Sequence, residues 1–185
     1  MAVNFCVSCG HSMETRMIDG VERRACPSCG NVHWGNYSVG VGALVFKDQK
    51  MLLVRRAQEP GKGKWTNPGG YIEQLEPIEE TVAREVWEET GVRAEVRSIV
   101  ALRDQPRAVH NVYIAFEMEY IEGEPKPDER EVDQAGFFSL EEMQDMDVAS
   151  FTRWLIDVAL HAKEGGLAID RKATGQGSGD VYFRL

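Results

Sequence analysis

The sequence has no hydrophobic run that approaches the ~20 residues needed to cross a bilayer, which excludes a membrane-spanning helix. It is also poor in basic residues, since 21 lysines and arginines stand against 30 acidic residues and give a formal net charge of −9. No basic stripe that could follow a polyanion is visible, so we expect no nucleic-acid partner. The first residues carry neither the basic flank nor the apolar stretch of a secretory signal. We therefore expect a cytoplasmic protein with no membrane partner.

The composition changes twice along the 185 residues. It divides the chain into a cysteine-containing head (residues 1–36), a body (37–163) and a glycine-rich tail (164–185). Strand-like and helix-like segments interleave in the body with hairpin connections, which is typical of an α+β or α/β/α sandwich around a mixed sheet. Within the tail we expect flexibility at residues 175–179 and an edge strand at 181–183.

Two helices and several strands are predicted for the body. Apolar residues recur at helical spacing over residues 77–90, with Pro77 at the first position and Gly91 just past the end. A second helix is expected over residues 151–163. The predicted strands cover 39–46 and 51–54, which form a hairpin, and 94–102, 111–120 and 137–138.

The first predicted helix and the loop before it concentrate acidic charge. Residues 73–89 hold seven glutamates and one basic residue, Arg84. On an ideal helix Glu85, Glu88 and Glu89 lie within an arc of about 100°, where like charges cost roughly 0.2–0.5 kcal/mol per pair. Carboxylates on one helix face are oxygen ligands suited to Mg²⁺. Taken alone, the triplet also fits an ordinary solvent-exposed helix.

The residues around this triplet follow a longer pattern. Five residues separate Gly70 from Glu76, and seven more separate Glu76 from the segment REVWEETGV, which begins at Arg84. Every fixed position agrees with G-x5-E-x7-R-E-U-x-E-E-x-G-U, where U is aliphatic, and the segment therefore resembles the signature of the Nudix hydrolases. The resemblance covers about residues 37–160 and implies a Nudix α/β/α sandwich.

The resemblance implies hydrolysis of a nucleoside diphosphate linked to another moiety, with Mg²⁺ or Mn²⁺ required. Carried over by position, Glu85 and Glu89 are the principal metal ligands, and Glu88 is a further ligand or a base that acts through water. Arg84 orients the glutamates. Further contributions are expected from the Gly70 carbonyl, as a metal ligand, and from Glu76, which orients its neighbours.

One more glutamate is expected from a loop. Similar families often supply it shortly before a strand that ends in two aromatic residues, and Glu131 has that position ahead of Phe137 and Phe138. We consider Glu131 a candidate metal ligand or base. The alternative is a solvated acid in a loop that also holds Asp128.

The four cysteines occur as C-x2-C-x16-C-x2-C, at Cys6, Cys9, Cys26 and Cys29. This spacing indicates a structural Zn²⁺ site, because two Cys-x-x-Cys-Gly turns can direct four thiolates at one ion. A head of about 35 residues builds little core, so the metal would provide its folding energy. Thiol exchange chemistry is the competing interpretation. The nearby His11 and His33 are expected to be spectators.

A zinc ribbon ahead of a Nudix domain is similar to NADH pyrophosphatases and to a smaller group that includes FAD and ADP-ribose pyrophosphohydrolases. NADH pyrophosphatases carry Ser-Gln-Pro-Trp-Pro-Phe-Pro after the signature, whereas residues 104–110 read DQPRAVH and share only Gln-Pro. We therefore favour ADP-ribose or FAD as substrate over NADH. Nucleoside triphosphates and a nucleotide sensor without catalysis are further alternatives. Ribbon-bearing relatives suggest a homodimer.

Three further side chains are candidates for substrate contact. Arg55 and its neighbour Arg56 end a predicted strand and could meet phosphates, although a surface role is equally compatible with their position. Trp65 precedes the Gly-Gly turn (Gly69-Gly70) and could stack on a base, but a core packing role is the simpler interpretation.

Overall fold

The computed structural model describes residues 3–161, 167–169 and 181–184, with no account of the side chains of 168, 169 and 181. The chain forms two compact units, Met1–Asn36 and Tyr37–Leu185. Several predictions lie outside the described residues: the flexible segment 175–179, the end of the second helix at 163 and the 163/164 boundary. No helix in the described ranges is long and apolar enough to cross a membrane.

The first unit is a small antiparallel sheet with three strands. They are β1 (Glu14–Ile18), β2 (Val21–Ala25) and β3 (Val32–His33), ordered β1-β2-β3. Its apolar cluster consists of Cys6, Met13 and Cys26, with Val3 packed against them, and Ala25 is buried as well. So small an apolar cluster removes little surface from water, and such a unit needs another source of stability.

The second unit is built on a mixed sheet. Among the described residues its order is β10-β5-β4-β9-β8-β12-β11, with β6 paired to β5 and β7 paired to β4. Only the β4–β9 pair is parallel. The strands are β4 (Tyr37–Lys47), β5 (Lys50–Arg56), β6 (Trp65–Thr66), β7 (Gly69–Tyr71), β8 (Arg93–Gln105), β9 (His110–Glu122), β10 (Val132–Phe138), β11 (Ala168–Ile169) and β12 (Val181–Arg184).

Two helices cover the sheet. The first, α1 (Ile78–Thr90), follows Pro77 and ends at Gly91, whose φ of 68° allows its N–H to bond the Trp87 carbonyl at 2.7 Å. The second, α2 (Ser150–Leu160), follows a short 3₁₀ helix, Glu142–Asp145. Both predicted helices are confirmed.

The alternation of side chains along the central strand β4 creates two cores. Val41, Ala43 and Val45 pack with Val82 and Val86 of α1. Leu44 points the other way and belongs to a second cluster with side chains of α2, such as Leu155 and Val158. The helices therefore lie on opposite faces of the sheet, and the predicted α/β/α sandwich is confirmed.

Strand pairing differs from the sequence prediction in two places. The predicted tail strand forms as β12 and pairs antiparallel with β8, but β11 pairs with its other side, so the prediction of an edge strand is wrong. Strand β10 begins at Val132, five residues before the predicted start, because it pairs with β5 along most of its length.

Candidate active site

The Gly-Gly turn places a strand against the carboxylate helix. In β7, Gly69 pairs with Gly42 and Gly70 pairs with Val41 of β4. A Cβ atom at Gly70 would lie 2.4 Å from Cδ of Glu85 and 2.5 Å from both of its carboxylate oxygens. Glycine at position 70 is therefore what allows the Glu85 carboxylate to lie against this strand.

Arg84 connects three of the predicted glutamates. Its Nε donates to Glu76 at 3.0 Å, and its Nη1 donates to Glu85 and to Glu88, both at 3.0 Å. The hydrogen bond from Arg84 also lowers the pKa of Glu76, so Glu76 stays ionised beside it. These contacts fit the expected orienting role of Arg84.

Glu89 is the most buried of the three helix glutamates Glu85, Glu88 and Glu89. It accepts a hydrogen bond from the Gly69 N–H at 2.9 Å, while the side chain of Glu88 is 49% exposed. Burial raises the pKa of Glu89, the hydrogen bond from Gly69 opposes this, and the negative charges of Glu85 and Glu131 contribute to a final value of about 8. Burial also raises the pKa of Glu85. A cation at this site would favour the ionised carboxylates.

Glu131 acts electrostatically on the same group of carboxylates, because its charge raises the pKa of both Glu85 and Glu89. Its loop is shaped by Asp128, whose Oδ1 accepts the N–H groups of Arg130, Glu131 and Val132 at 3.0 Å each. From the sequence alone, Asp128 is only one of several acidic residues in the loop around Glu131. An Asp that accepts N–H groups two to four residues later is a turn signal that could have identified it.

The glutamate oxygens are near one another without forming a complete ligand shell. Over the described part of the chain, the cysteine cluster is the only set of three or more potential ligands whose ligand atoms all lie within 4.8 Å. Arg84 binds Glu85 and Glu88, and Gly69 binds Glu89. The donor set consists of hard oxygen atoms, which fit a divalent cation such as Mg²⁺, but the carboxylates would have to turn towards it.

Arg55 and Trp65, two of the candidate substrate contacts, take part in other interactions. Arg55 forms a bidentate ion pair with Asp133 of β10, in which Nε and Nη2 donate to the two carboxylate oxygens at 2.7 and 3.1 Å. Trp65 packs edge-on against Phe138 with ring centroids 4.8 Å apart, in the core beneath α2. Neither contact involves a carboxylate of α1, and the substrate roles of Arg55 and Trp65 stay predictions.

A buried polar network supports the Gly-Gly turn at Gly69-Gly70. This network could not be predicted from the sequence. Asn67 donates to the Tyr113 hydroxyl at 3.0 Å and accepts from the Thr152 hydroxyl at 3.1 Å. A Cβ atom at Gly42 would lie 1.7 Å from the Tyr113 oxygen, so this glycine makes room for the phenol. The network links the residue two positions before Gly69 to β9 and α2.

A cavity of about 970 Å³ lies next to this turn. Its lining includes Tyr71, which directly follows Gly70, and three aromatic or basic residues of α2, Phe151, Arg153 and Trp154. Gln105 and Arg107 also line it, and both belong to the segment that differs from the NADH pyrophosphatase array. The volume is within the range of ligand pockets, about 300–1,000 Å³.

The four cysteines form a second candidate site, in the first unit. All are free thiols, and their sulfur atoms lie within 4.8 Å of one another, with Cys6–Cys29 at 3.6 Å and Cys9–Cys26 at 3.5 Å. Tetrahedral Zn²⁺ with Zn–S bonds of about 2.3 Å requires sulfur–sulfur distances of roughly 3.8 Å. The geometry therefore fits one such ion.

The thiols also share the electrostatics of a cation site. Burial opposes ionisation of Cys6, but hydrogen bonds from the Ser8 and Cys9 N–H groups outweigh it and lower its pKa to about 6. A hydrogen bond from His11 favours the Cys9 thiolate, yet the neighbouring Cys29 and Cys26 raise the pKa of Cys9 to about 12. Full ionisation of the cluster thus requires a positive charge among the sulfurs.

A three-layer sandwich with an arginine-held set of glutamates beside a Gly-Gly turn defines the Nudix class of proteins. A sequence profile described as the NUDIX domain matches residues 36–157, and the chain belongs to this family.

Proteins with assigned activities are among its relatives. The "NAD-capped RNA hydrolase NudC" of Stutzerimonas stutzeri is 32% identical over 162 residues, which cover 87% of this chain and 57% of that protein. The "ADP-ribose pyrophosphatase" of Methanocaldococcus jannaschii is 37% identical over 106 residues, or 56% of this chain and 62% of that protein. The chain thus spans somewhat more than half the length of these relatives.

A solved structure has the same architecture. The crystal structure of a NUDIX hydrolase from Nitrosomonas europaea superposes with a TM-score of 0.75 at 29% identity, covering 85% of this chain and 90% of that one. The predicted Nudix fold is confirmed by this likeness and by the profile match.

Proposed function

We propose that this protein is a metal-dependent hydrolase that cleaves the diphosphate bond of a nucleoside diphosphate linked to another moiety. One observation carries the proposal: Arg84 holds the carboxylates of Glu76, Glu85 and Glu88 next to Gly70, where glycine leaves room for Glu85. A surface helix has no need of this arrangement, in which acidic side chains are partly buried together.

The residues that would hold Mg²⁺ or Mn²⁺ are Glu85, Glu88, Glu89 and the carbonyl of Gly70. When bound, such an ion lowers the pKa of a coordinated water and neutralises charge on the diphosphate. Arg84 orients two of the carboxylates, and the Gly69 N–H fixes the third, Glu89. Glu131 supplies a further carboxylate, as a metal ligand or as the base that takes the proton of the attacking water.

The cysteine cluster is proposed to hold one structural Zn²⁺ through Cys6, Cys9, Cys26 and Cys29. The support is the distance between the sulfur atoms, all within 4.8 Å, and the pairing of two similar turns. In these turns the Gly10 and Gly30 N–H groups donate to the carbonyls of Cys6 and Cys26, at 2.8 and 3.0 Å. Four thiolates close the coordination of the ion, which is typical of a structural site.

ADP-ribose and FAD are the favoured substrates, and NADH and nucleoside triphosphates are the alternatives. The relative from Methanocaldococcus jannaschii is named for ADP-ribose, and the relative from Stutzerimonas stutzeri is named for NAD-capped RNA. The second name includes RNA, whereas we expect no nucleic-acid partner for this chain. That expectation stays a prediction, which rests on the acidic net charge of −9. A homodimer and a cytoplasmic location are likewise proposed from the sequence alone.

The experiment is a panel of hydrolysis assays with Mg²⁺ over FAD, ADP-ribose, NADH, nucleoside triphosphates and NAD-capped RNA. We expect ADP-ribose or FAD to give a nucleoside monophosphate and a phosphorylated remainder. Glu85→Gln and Glu89→Gln should abolish turnover, whereas Glu79→Gln, at an exposed position in the first turn of α1, should not. Binding without cleavage of any member would instead indicate a nucleotide sensor.

A further inference from the structure

The cavity beside Tyr71 is strongly basic, although the protein as a whole is acidic. Among the described residues that line it none is acidic, and five are basic: Arg56, Lys64, Arg103, Arg107 and Arg153. The chain carries a net charge of −9, so this concentration of positive charge is local. A concave surface lined by one sign of charge focuses its field and attracts ligands of the opposite sign.

Two of these arginines form no ion pair with any acidic residue that the structure describes. Arg56 donates from Nε to the Pro60 carbonyl at 2.8 Å, and Arg153 donates from Nη2 to the Met143 and Met146 carbonyls at 3.1 and 2.8 Å. A carbonyl oxygen orients a guanidinium group without neutralising it. Lys64 differs, because it forms an ion pair with Asp147 at 3.1 Å.

Arg153 lies on a different face of the sheet from the bond that is cleaved. Arg153 belongs to α2, which lies on the opposite face of the sheet from the α1 carboxylates. The cavity nevertheless borders the reaction centre, because Tyr71 lines it and Gly70 contacts Glu85. A diphosphate placed at the carboxylates can therefore extend one of its two halves into the cavity.

The lining also suits a nucleoside. Aromatic side chains form part of the wall, including Phe151, Trp154 and the 65% exposed Tyr71. Aromatic rings accept a planar base by stacking, and arginines bind phosphate groups through charge-assisted hydrogen bonds. The first turn of α2 borders the same cavity and adds the positive end of its dipole.

We propose, on the basis of the proposed function, that this cavity selects substrates whose nucleoside ribose carries an additional phosphate monoester. Arg56 and Arg153 are the specificity-determining residues, because their charges face the cavity and are not used by an acidic partner. The scissile diphosphate is served by the carboxylate site on the other face of the sheet. The remaining positive charge therefore serves a separate anionic group.

The first test measures binding without hydrolysis. Calorimetry on the metal-free protein compares AMP with adenosine 2′,5′-bisphosphate and adenosine 3′,5′-bisphosphate, which each add one phosphate. We expect at least one bisphosphate to bind roughly tenfold or more tightly than AMP, the range of one charge-assisted hydrogen bond. Comparison of the two bisphosphates shows whether the cavity binds a phosphate at the 2′ or at the 3′ position of the ribose.

Variants assign this preference to the arginines. Arg153→Gln and Arg56→Gln should each reduce it to within about threefold, whereas Arg153→Lys, which keeps the charge, should retain most of it. Arg97→Gln is the matched control, because Arg97 is an exposed arginine of β8 that pairs with Glu119 and is not in the cavity lining. Circular dichroism of each variant checks that the fold is kept.

The second test compares kcat/KM for ADP-ribose with its 2′-phosphate, and for NADH with NADPH. A preference for the phosphorylated member that falls in Arg153→Gln and persists in Arg97→Gln supports the inference. Equal binding of AMP and both bisphosphates overturns the inference and leaves the proposed hydrolase intact. A binding preference without hydrolysis of any diphosphate has the opposite meaning: the proposed function is wrong and the phosphate site stands.

Discussion

At the scale of single residues, the site depends on how closely two atoms can approach. Gly70 contacts the Glu85 carboxylate so tightly that a Cβ atom would overlap it at 2.4 Å. Because the strand backbone is paired with β4 whereas the end of the Glu85 side chain can rotate, we expect Gly70→Ala to displace the carboxylate rather than the strand. The result should be a loss of roughly 100-fold or more in kcat, as for other misplaced catalytic groups.

A double-mutant cycle checks this explanation. If Gly70→Ala acts through Glu85, then adding it to Glu85→Gln should cause little further loss of kcat. Losses that multiply would show that the alanine disturbs something else. Thermal unfolding of each variant separates an effect on the site from an effect on the fold.

The burial of Glu89 predicts a pH dependence of stability in the metal-free protein. Its folded-state pKa of about 8 lies above the ordinary value of 4.5, so the group prefers to be neutral in the fold. Its favourable contribution is complete below about pH 4.5 and is lost as the pH rises through 8. We expect the Tm of the metal-free protein to fall over this window relative to Glu89→Gln.

Mg²⁺ provides the companion measurement. A bound cation favours the ionised carboxylate, so the gain in Tm on adding Mg²⁺ should increase from pH 6 to pH 9 in the wild type. The same gain should change less with pH in Glu89→Gln. A Tm of the wild type that runs parallel to that of Glu89→Gln at all pH values would contradict the assignment.

The glutamates and Arg84 were predictable because all lie within one short segment with fixed spacing. Asn67, Tyr113 and Thr152 were not, since their hydrogen bonds join residues 46 and 85 positions apart. Nothing in the sequence near any of them indicates its partner. Asp128 is an intermediate case, because its hydrogen bonds are local and its neighbours are so acidic that it did not stand out.

At the scale of elements, helix α1 was the easiest to predict, whereas strand β10 was predicted only at its C-terminal end. The apolar period of α1 and its Pro77 and Gly91 boundaries are local signals, and the helix begins within one residue of the predicted start. Strand β10 contains Asp133 and Gln134, which do not resemble a buried strand. Pairing with β5 and the ion pair to Arg55 stabilise it, and neither is visible in its own sequence.

Helix α2 is connected to the Gly-Gly turn through one hydroxyl group. Thr152 is fully buried, donates to Asn67 and lies 3.0 Å from the Thr66 hydroxyl. Thr152→Val keeps the shape but removes the donor, which leaves the Asn67 oxygen unsatisfied and should cost about 1–3 kcal/mol of stability. Chemical denaturation measures this loss.

The control for this change is Thr152→Ser, which keeps the hydroxyl and loses only a methyl group. We expect Thr152→Ser to be clearly more stable than Thr152→Val. If the valine variant is as stable as the serine variant, the hydrogen bond to Asn67 does not hold α2 to the turn.

At the scale of the whole molecule, the two units differ in what stabilises them. The unit Tyr37–Leu185 has two extensive apolar clusters, one on each face of its sheet. The unit Met1–Asn36 has only four buried apolar residues among those the structure describes, and two of them are cysteines of the proposed zinc site. The first unit should therefore depend on metal for its fold, and the second should not.

Removal of zinc tests this difference. We expect one Zn²⁺ per chain by metal analysis, and a calorimetric transition of the first unit that disappears on chelation while the transition of the second unit remains. Cys26→Ser should behave like the chelated protein. A reversible disulfide and no zinc in freshly purified protein would support thiol exchange chemistry instead.

The sandwich class and six of the nine described strands of the second unit could be predicted from local patterns of apolar residues. The order of strands could not, because the parallel pair β4–β9 joins residues 73 positions apart, from Tyr37–His110 to Phe46–Glu119. The basic cavity could be predicted only in part. Arg56 ends a predicted strand and is a candidate phosphate contact from the sequence, whereas Arg153 comes from a distant segment and looks like an ordinary surface arginine.

Strand β4 lies in the interior of the sheet of the second unit, with β5 and β7 pairing along one side and β9 along the other. Its residues Val41, Ala43, Leu44 and Val45 have no solvent exposure, so its amide protons should be among the last to exchange with deuterium. The Gly-Gly turn is hydrogen-bonded to this slowest-opening strand rather than to a mobile loop. Local fraying elsewhere therefore leaves the floor of the carboxylate site rigid until the entire sheet opens.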